Sequence, residues 1–170
     1  MTLLRRIARL RVTMGFIFGV LAIWLARPTP TSLIAGGTVA VVGEMIRVWA
    51  AGHLEKGREV TMSGPYRFAR HPLYLGSTLI GVGLGVASAS PIVAALVLVY
   101  LAVTLTAAVR TEEAHLTDKF GTAYPAYRAG TADGVPRRFS FARAVRNREY
   151  RALLGLLLVL VVFAWKAGLF

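Results

Sequence analysis

Five apolar stretches, residues 12–26, 31–51, 73–87, 92–109 and 152–170, dominate the chain. Each approaches the roughly 20 residues that a helix needs to cross the hydrocarbon of a bilayer. In lipid the backbone must satisfy its own polar groups, which a helix does and an isolated strand does not. The pattern therefore predicts an all-α, polytopic membrane protein with about five transmembrane helices. The first stretch is short, and Arg9 and Arg11 would snorkel to headgroups. Only Ser88-Ala89-Ser90-Pro91 separates the third from the fourth, which forces a tight antiparallel hairpin. Gly76, Gly81, Gly83 and Gly85 keep the third helix thin enough for close approach to a partner helix or a ligand. The fifth, rich in Leu and Val with Trp165 and Lys166 near its end, reads as a plain anchor. Inside the second stretch Glu44 and Arg47 stand one turn apart. They read first as an intrahelical structural ion pair, with a functional role, which ionisable residues at such depth suggest, as the alternative.

With 56% hydrophobic and 16% charged residues, the 170-residue chain is too apolar for a soluble domain of its length. No linker or low-complexity tract divides it, so residues 1–170 read as one membrane domain. The net charge of +12 would suggest nucleic acid in a soluble protein, but basic loops on the cytoplasmic face of a membrane explain it. Of the 20 Lys and Arg, all but Arg27, Arg47 and Lys166 fall in the N-terminal arm and the loops after the second and fourth stretches. The positive-inside rule then puts the N-terminus and both long loops in the cytoplasm and the C-terminus outside, in a plasma or inner membrane. Arg27-Pro28 follows the first stretch where a small-residue cleavage site would stand, so that helix is expected to be retained. Within residues 137–151, Phe139, Phe141, Val145 and Tyr150 alternate with arginines. The segment is either an interfacial helix on anionic lipid or a basic stop, neither of them catalytic.

There is no cysteine, which removes disulfides, thiolate metal sites and cysteine nucleophiles. His53, His71 and His115 lack metal-ligand spacing, and no bound metal is expected. Chemistry is sought instead at the ends of the hairpin. One end carries Gly64-Pro65-Tyr66-Arg67 and Arg70-His71-Pro72-Leu73-Tyr74-Leu75-Gly76. Pro72 suits a first helical turn, His71 its cap, and His71, Tyr74 and Thr78 recur on one helical face. The other end carries Arg110, Glu112 and Glu113, then Phe120-Gly121, Tyr124 and Tyr127. The hairpin should bring the two ends together. Taken singly, the arginines could be positive-inside residues, the glutamates an exposed turn and the tyrosines an aromatic belt.

In this order and spacing, the residues from Arg47-Val48-Trp49-Ala50 to Pro136 resemble the isoprenylcysteine carboxyl methyltransferase and phospholipid methyltransferase family of membrane enzymes. Arg-His-Pro-x-Tyr-x-Gly is the most specific part. The resemblance implies S-adenosylmethionine as methyl donor and S-adenosylhomocysteine as product. It implies a cofactor pocket between hairpin and loops formed by Tyr66, Arg70, His71, Pro72, Tyr74, Gly76 and Glu112, with Gly76 giving room. Arg110, Glu112 and Glu113 are then the catalytic candidates, Arg110 as an attractor of an anionic acceptor. No Gly-x-Gly-x-x-Gly follows a strand, in keeping with a pocket that is not a Rossmann site. The acceptor would be lipophilic or lipid-like and reach the site from the bilayer; residues 52–60 are too compact for an elaborate acceptor site. Two rivals stand beside this reading: a nicotinamide-dependent membrane reductase on a related scaffold, and a non-catalytic membrane scaffold.

Overall fold

The computed structural model describes Gly15, residues 17–132 and residues 135–170. Arg5, Arg6, Arg9 and Arg11, on which part of the orientation argument rests, lie outside the described residues. Among the described residues all regular structure is helical. The elements are α1 (17–25), α2 (Pro30–His53), a 3-10 turn (Gly64–Arg67), α3 (Pro72–Ala87), α4 (Pro91–Phe120), α5 (Ala123–Ala129), α6 (Phe141–Arg146) and α7 (Tyr150–Lys166).

Local chemistry sets the boundaries. Thr29 and Ser32 form a reciprocal capping box ahead of α2, whose first residue is Pro30. Ser90 caps α4 by accepting from the Val93 N–H, and Pro91 opens it. Pro72 opens α3, with His71 in the cap position. Of these helices, α2 and α4 are long and apolar enough to cross a membrane by length and composition. With 16 residues, α3 spans about 24 Å, short of the roughly 30 Å of a typical hydrocarbon core. Its partner α4 runs on well past residue 109, so that Glu112 and Glu113 stand on a continuous helix.

The centre of the bundle is the α2–α3 seam, made of small residues. Gly36, Ala40 and Gly43 of α2 face Gly76, Gly83 and Ala87 of α3. A Cβ on Gly83 would lie 2.5 Å from both Gly36 O and Ala40 N, and one on Gly43 would lie 2.7 Å from Gly76 O. Backbone therefore meets backbone, which only small residues permit. At one end of the seam, Ala26, Ala87 and Phe163 form a buried cluster. There Lys166 donates to Ile23 O at 2.6 Å, satisfying a terminal carbonyl of α1.

At the opposite end, polar interactions strap residues 137–149 across the C-terminus of α2. Arg143 donates to Glu55 Oε1 at 2.8 Å, Arg146 to the same oxygen at 3.1 Å, and Arg137 makes a two-pronged pair with Glu59. Asn147 Nδ2 donates to Ala51 O and Leu54 O, each at 2.9 Å, using carbonyls that a helix end leaves free. Burial opposes the charge on Glu55, yet the hydrogen bond from Arg143 and the charges of Arg146, Arg143 and Arg137 prevail and hold its pKa below the ordinary carboxylate value. The short α6 leaves Phe141 and Val145 exposed, while Arg143 and Arg146 turn inward to Glu55.

Candidate active site

A cavity of about 730 Å³ lies where the C-terminus of α2, the 3-10 turn, the start of α3, the polar half of α4, α5 and the start of α7 meet. Its size suits a small-molecule or cofactor site. Tyr66, Arg70, His71, Pro72, Tyr74 and Glu112, all named from the sequence, line it. The His71 and Tyr74 rings stack with centroids 5.6 Å apart and planes 26° from parallel.

The two ends of the hairpin meet at His71. Its Nε2 lies 3.2 Å from Glu113 Oε1, and its Nδ1 lies 4.0 Å from Glu112 Oε2. Tyr124 donates to the same Glu113 oxygen at 3.1 Å. The His71 hydrogen bond, joined by that from Tyr124, holds the Glu113 carboxyl below its ordinary pKa against the opposing effect of desolvation. Burial, then the bond to Glu113, push the Tyr124 phenol up to about 12, so it stays a donor at neutral pH. Tyr127 donates to Tyr66 O at 2.6 Å and ties α5 to the 3-10 turn. Burial, reinforced by nearby Glu112, raises the Tyr66 pKa well above the phenol range.

Gly76 and Arg110, both named from the sequence, stand outside the cavity wall. Gly76 packs in the helix seam. A Cβ there would lie 2.5 Å from Arg47 Cγ and 2.6 Å from Gly43 O, so the glycine serves the α2–α3 seam. Arg110 is exposed and is not part of the cavity wall. Glu113 is not part of the cavity wall and is bonded to His71 and Tyr124, which are.

The cavity also recruits residues that sequence reasoning left out. His115 and Lys119 line it beside Glu112; their i, i+3 and i+7 spacing on α4 was a legible signal. Asn147 and Glu149 line it too, although residues 137–151 read as non-catalytic and α7 as a plain anchor. Glu149, at the N-cap of α7, accepts from Arg47 Nε at 2.6 Å. Arg47 also donates to Ser77 Oγ and to Leu73 O. Its distance to Glu44 is 3.7 Å, without a hydrogen bond, so the main partner of Arg47 is Glu149 and not its helical neighbour.

Against this geometry stands a match of residues 10–123 to phospholipid methyltransferases. The chain belongs to the phospholipid methyltransferase family. That family is part of the isoprenylcysteine carboxyl methyltransferase-like group of membrane methyltransferases. Membership makes this a membrane protein of a methyltransferase family, in keeping with the two long apolar helices. The family match covers His71, Tyr74, Glu112 and Glu113 but ends before Tyr124, Tyr127, Asn147 and Glu149. The chain is 32% identical over 116 residues to the nickel-cobalt-cadmium resistance protein NccN of Alcaligenes xylosoxydans xylosoxydans, covering 67% of this chain and 53% of the relative. It is 33% identical over 99 residues to the cobalt-zinc-cadmium resistance protein CzcN of Cupriavidus metallidurans, covering 57% and 44%. The chain thus spans about half the length of the curated relatives it matches. No solved structure matches it. Among the described residues no group of three or more His, Asp or Glu is placed to hold a metal ion.

Proposed function

We propose that this chain is an S-adenosylmethionine-dependent membrane methyltransferase acting on a lipophilic or lipid-like acceptor. The observation that carries the reading is the convergence of His71, Tyr74, Glu112 and Glu113 at the cavity, within the segment that matches the family. The lining suits the donor chemically. Tyr66, Tyr74 and Phe120 offer aromatic surface, Glu59 and Glu112 offer carboxylates, and Arg70 and Lys119 offer cations. A molecule with a flat base, ribose hydroxyls and an amino-acid tail needs all three classes. The donor supplies an activated methyl group on a sulfonium.

The protein's task is to align, enclose and, where the acceptor requires it, remove a proton. Alignment alone contributes several kcal/mol to such a displacement. Tyr66, Arg70, His71, Pro72, Tyr74 and Glu112 hold the donor; Glu113 and Tyr124 fix the His71 ring. A carboxylate acceptor needs no base. For an amine or thiol acceptor, His71 and Glu112 are the candidate bases. In the membrane, α1, α2, α3, α4 and α7 form five spans. The cavity, the N-terminus and both long loops face the cytoplasm, and the C-terminus faces outward, in a plasma or inner membrane. Since the chain has no cysteine, single cysteines placed at Thr131 and at Phe170 test that orientation by labelling from one side.

Calorimetric titration of the detergent-purified chain with S-adenosylmethionine and S-adenosylhomocysteine tests the function. Saturable binding is expected, weakened at least about tenfold by His71→Ala. A well-folded protein that binds neither, but binds a nicotinamide cofactor, would replace this reading with a reductase.

A further inference from the structure

Residues 137–151 hold six arginines and a single acid, Glu149. Half of that charge is spent inside the protein. Arg143 and Arg146 bond Glu55, Arg137 bonds Glu59, and Glu149 is taken by Arg47. Arg138, Arg148 and Arg151 are exposed. Among the described residues none of the three pairs with a carboxylate, and Arg151 lies over the Tyr150 ring at 6.0 Å. Arg148 also has a φ of 62°, a left-handed conformation in which glycine is at ease and arginine is not.

The apolar side of the same segment is bare. Phe141 and Val145, one turn apart on α6, are 73% and 59% exposed. Phe139 packs edge-on against Phe141, ring centroids 4.8 Å apart, and lines an apolar hollow with Met45 and Trp49 of α2 and Leu153 and Leu157 of α7. Those four are exposed as well, so the bare face of α6 runs on into the outward surface of two helices placed in the bilayer. Its level follows from its attachments. Ser140 N–H donates to Gly52 O in the last turn of α2 at 3.1 Å, and only residues 147–149 separate α6 from α7. At that level the cover is lipid headgroups and the upper parts of their chains.

We propose that residues 138–151 form a binding site for anionic phospholipid of the surrounding leaflet, with Phe141 and Val145 among the upper acyl chains and Arg138, Arg148 and Arg151 on the phosphates. A guanidinium fork fits a phosphate, and a basic segment at a membrane surface gains from each anionic lipid it meets. A zwitterionic lipid carries its own ammonium, which offsets that gain. The inference rests on the bilayer placement of α2 and α7, and not on methyl transfer.

Phe141→Trp in a Trp24→Phe/Trp49→Phe/Trp165→Phe background puts the sole tryptophan on this face. The protein is reconstituted in nanodiscs of equimolar phosphatidylcholine and phosphatidylglycerol, with chains brominated near the headgroup on one lipid or on the other. Quenching by brominated phosphatidylglycerol is expected to exceed that by brominated phosphatidylcholine about threefold. Arg138→Gln/Arg148→Gly/Arg151→Gln should bring the two to equality while phosphatidylcholine still quenches; glycine suits the backbone at 148. Should that variant fail to fold, about 1 M salt on the unsubstituted arginines should reduce the preference by screening. Equal quenching by the two lipids with all three arginines present, quenching by neither, or a preference that survives both their removal and high salt overturns the proposal.

Discussion

The two ends of α2 are held by opposite kinds of chemistry. Along the α2–α3 seam, glycine and alanine bring backbones into direct contact, and nothing there is charged until Glu44 and Arg47. At the polar end, the same helix is gripped by long side chains: Arg143 and Arg146 on Glu55, Arg137 on Glu59, and Asn147 on free carbonyls. The seam tolerates no added volume, since its neighbours are main chain. The polar end tolerates volume but not the loss of a partner, since the buried Glu55 is held by Arg143 and Arg146. Methyl-transfer candidates sit where these regimes meet, with Arg47 reaching from one to the other.

The largest expected effect tests the rigidity of the seam. Gly83→Leu should leave no folded monomer on size-exclusion chromatography in detergent, because main chain cannot retreat from a side chain placed 2.5 Å away. Gly81→Ala, on the same helix, meets only the Leu101 side-chain terminus and a Val97 methyl, and should fold with a modest loss in thermal midpoint. Equal outcomes would erase the distinction between backbone and side-chain neighbours.

Next comes the bridge between the regimes. Glu149→Ala leaves the partly buried Arg47 without its closest carboxylate, and should cost about 3–5 kcal/mol in denaturant unfolding. It should also weaken S-adenosylmethionine binding, because Glu149 and Arg47 wall the cavity. Adding Arg47→Met should restore much of the stability but not the binding, which separates the pair's structural role from its role at the wall.

Smaller effects are expected around His71. Tyr124→Phe deletes one donor to Glu113 and should weaken cofactor binding by about 1 kcal/mol, near fivefold. Because the Glu113 pKa lies below its ordinary value of 4.5, its contribution is fully present above that pH and is lost as pH falls through the lower native value. The contribution of Glu113 to folding stability should thus hold steady from pH 7 to about 5 and decline below about 4.5. In Glu113→Gln that acid limb should be absent. The smallest effect is expected at Arg110→Ala, within about 0.5 kcal/mol in stability and twofold in affinity, since its side chain is exposed and off the cavity wall.

The capping residues explain how much could be read in advance. Pro72, Pro91 and the Ser88-Ala89-Ser90 link are local signals, and they place α3 and α4 where the sequence pattern put them. Because hairpin partners are neighbours in sequence, the meeting of His71 with Glu112 and Glu113 was legible too. The place of Gly76 in the seam was not legible, because a glycine fits a ligand and a helix seam equally well until the neighbouring helix is known. Arg110 lies two residues from Glu112, about 200° of helix rotation, which puts it off the face that carries Glu112.

What the sequence determined by itself is what depends on local periodicity and on residue type: helices, their caps, the apolar character that calls for lipid, and the motif on the hairpin. The tertiary structure decided which distant charges pair. Arg47 lies three residues from Glu44 but takes Glu149, 102 positions away, because the strap through Arg143, Arg146 and Asn147 delivers that carboxylate to the end of α2. Pairing across such separations is set by the packing of whole helices, and no local pattern encodes it.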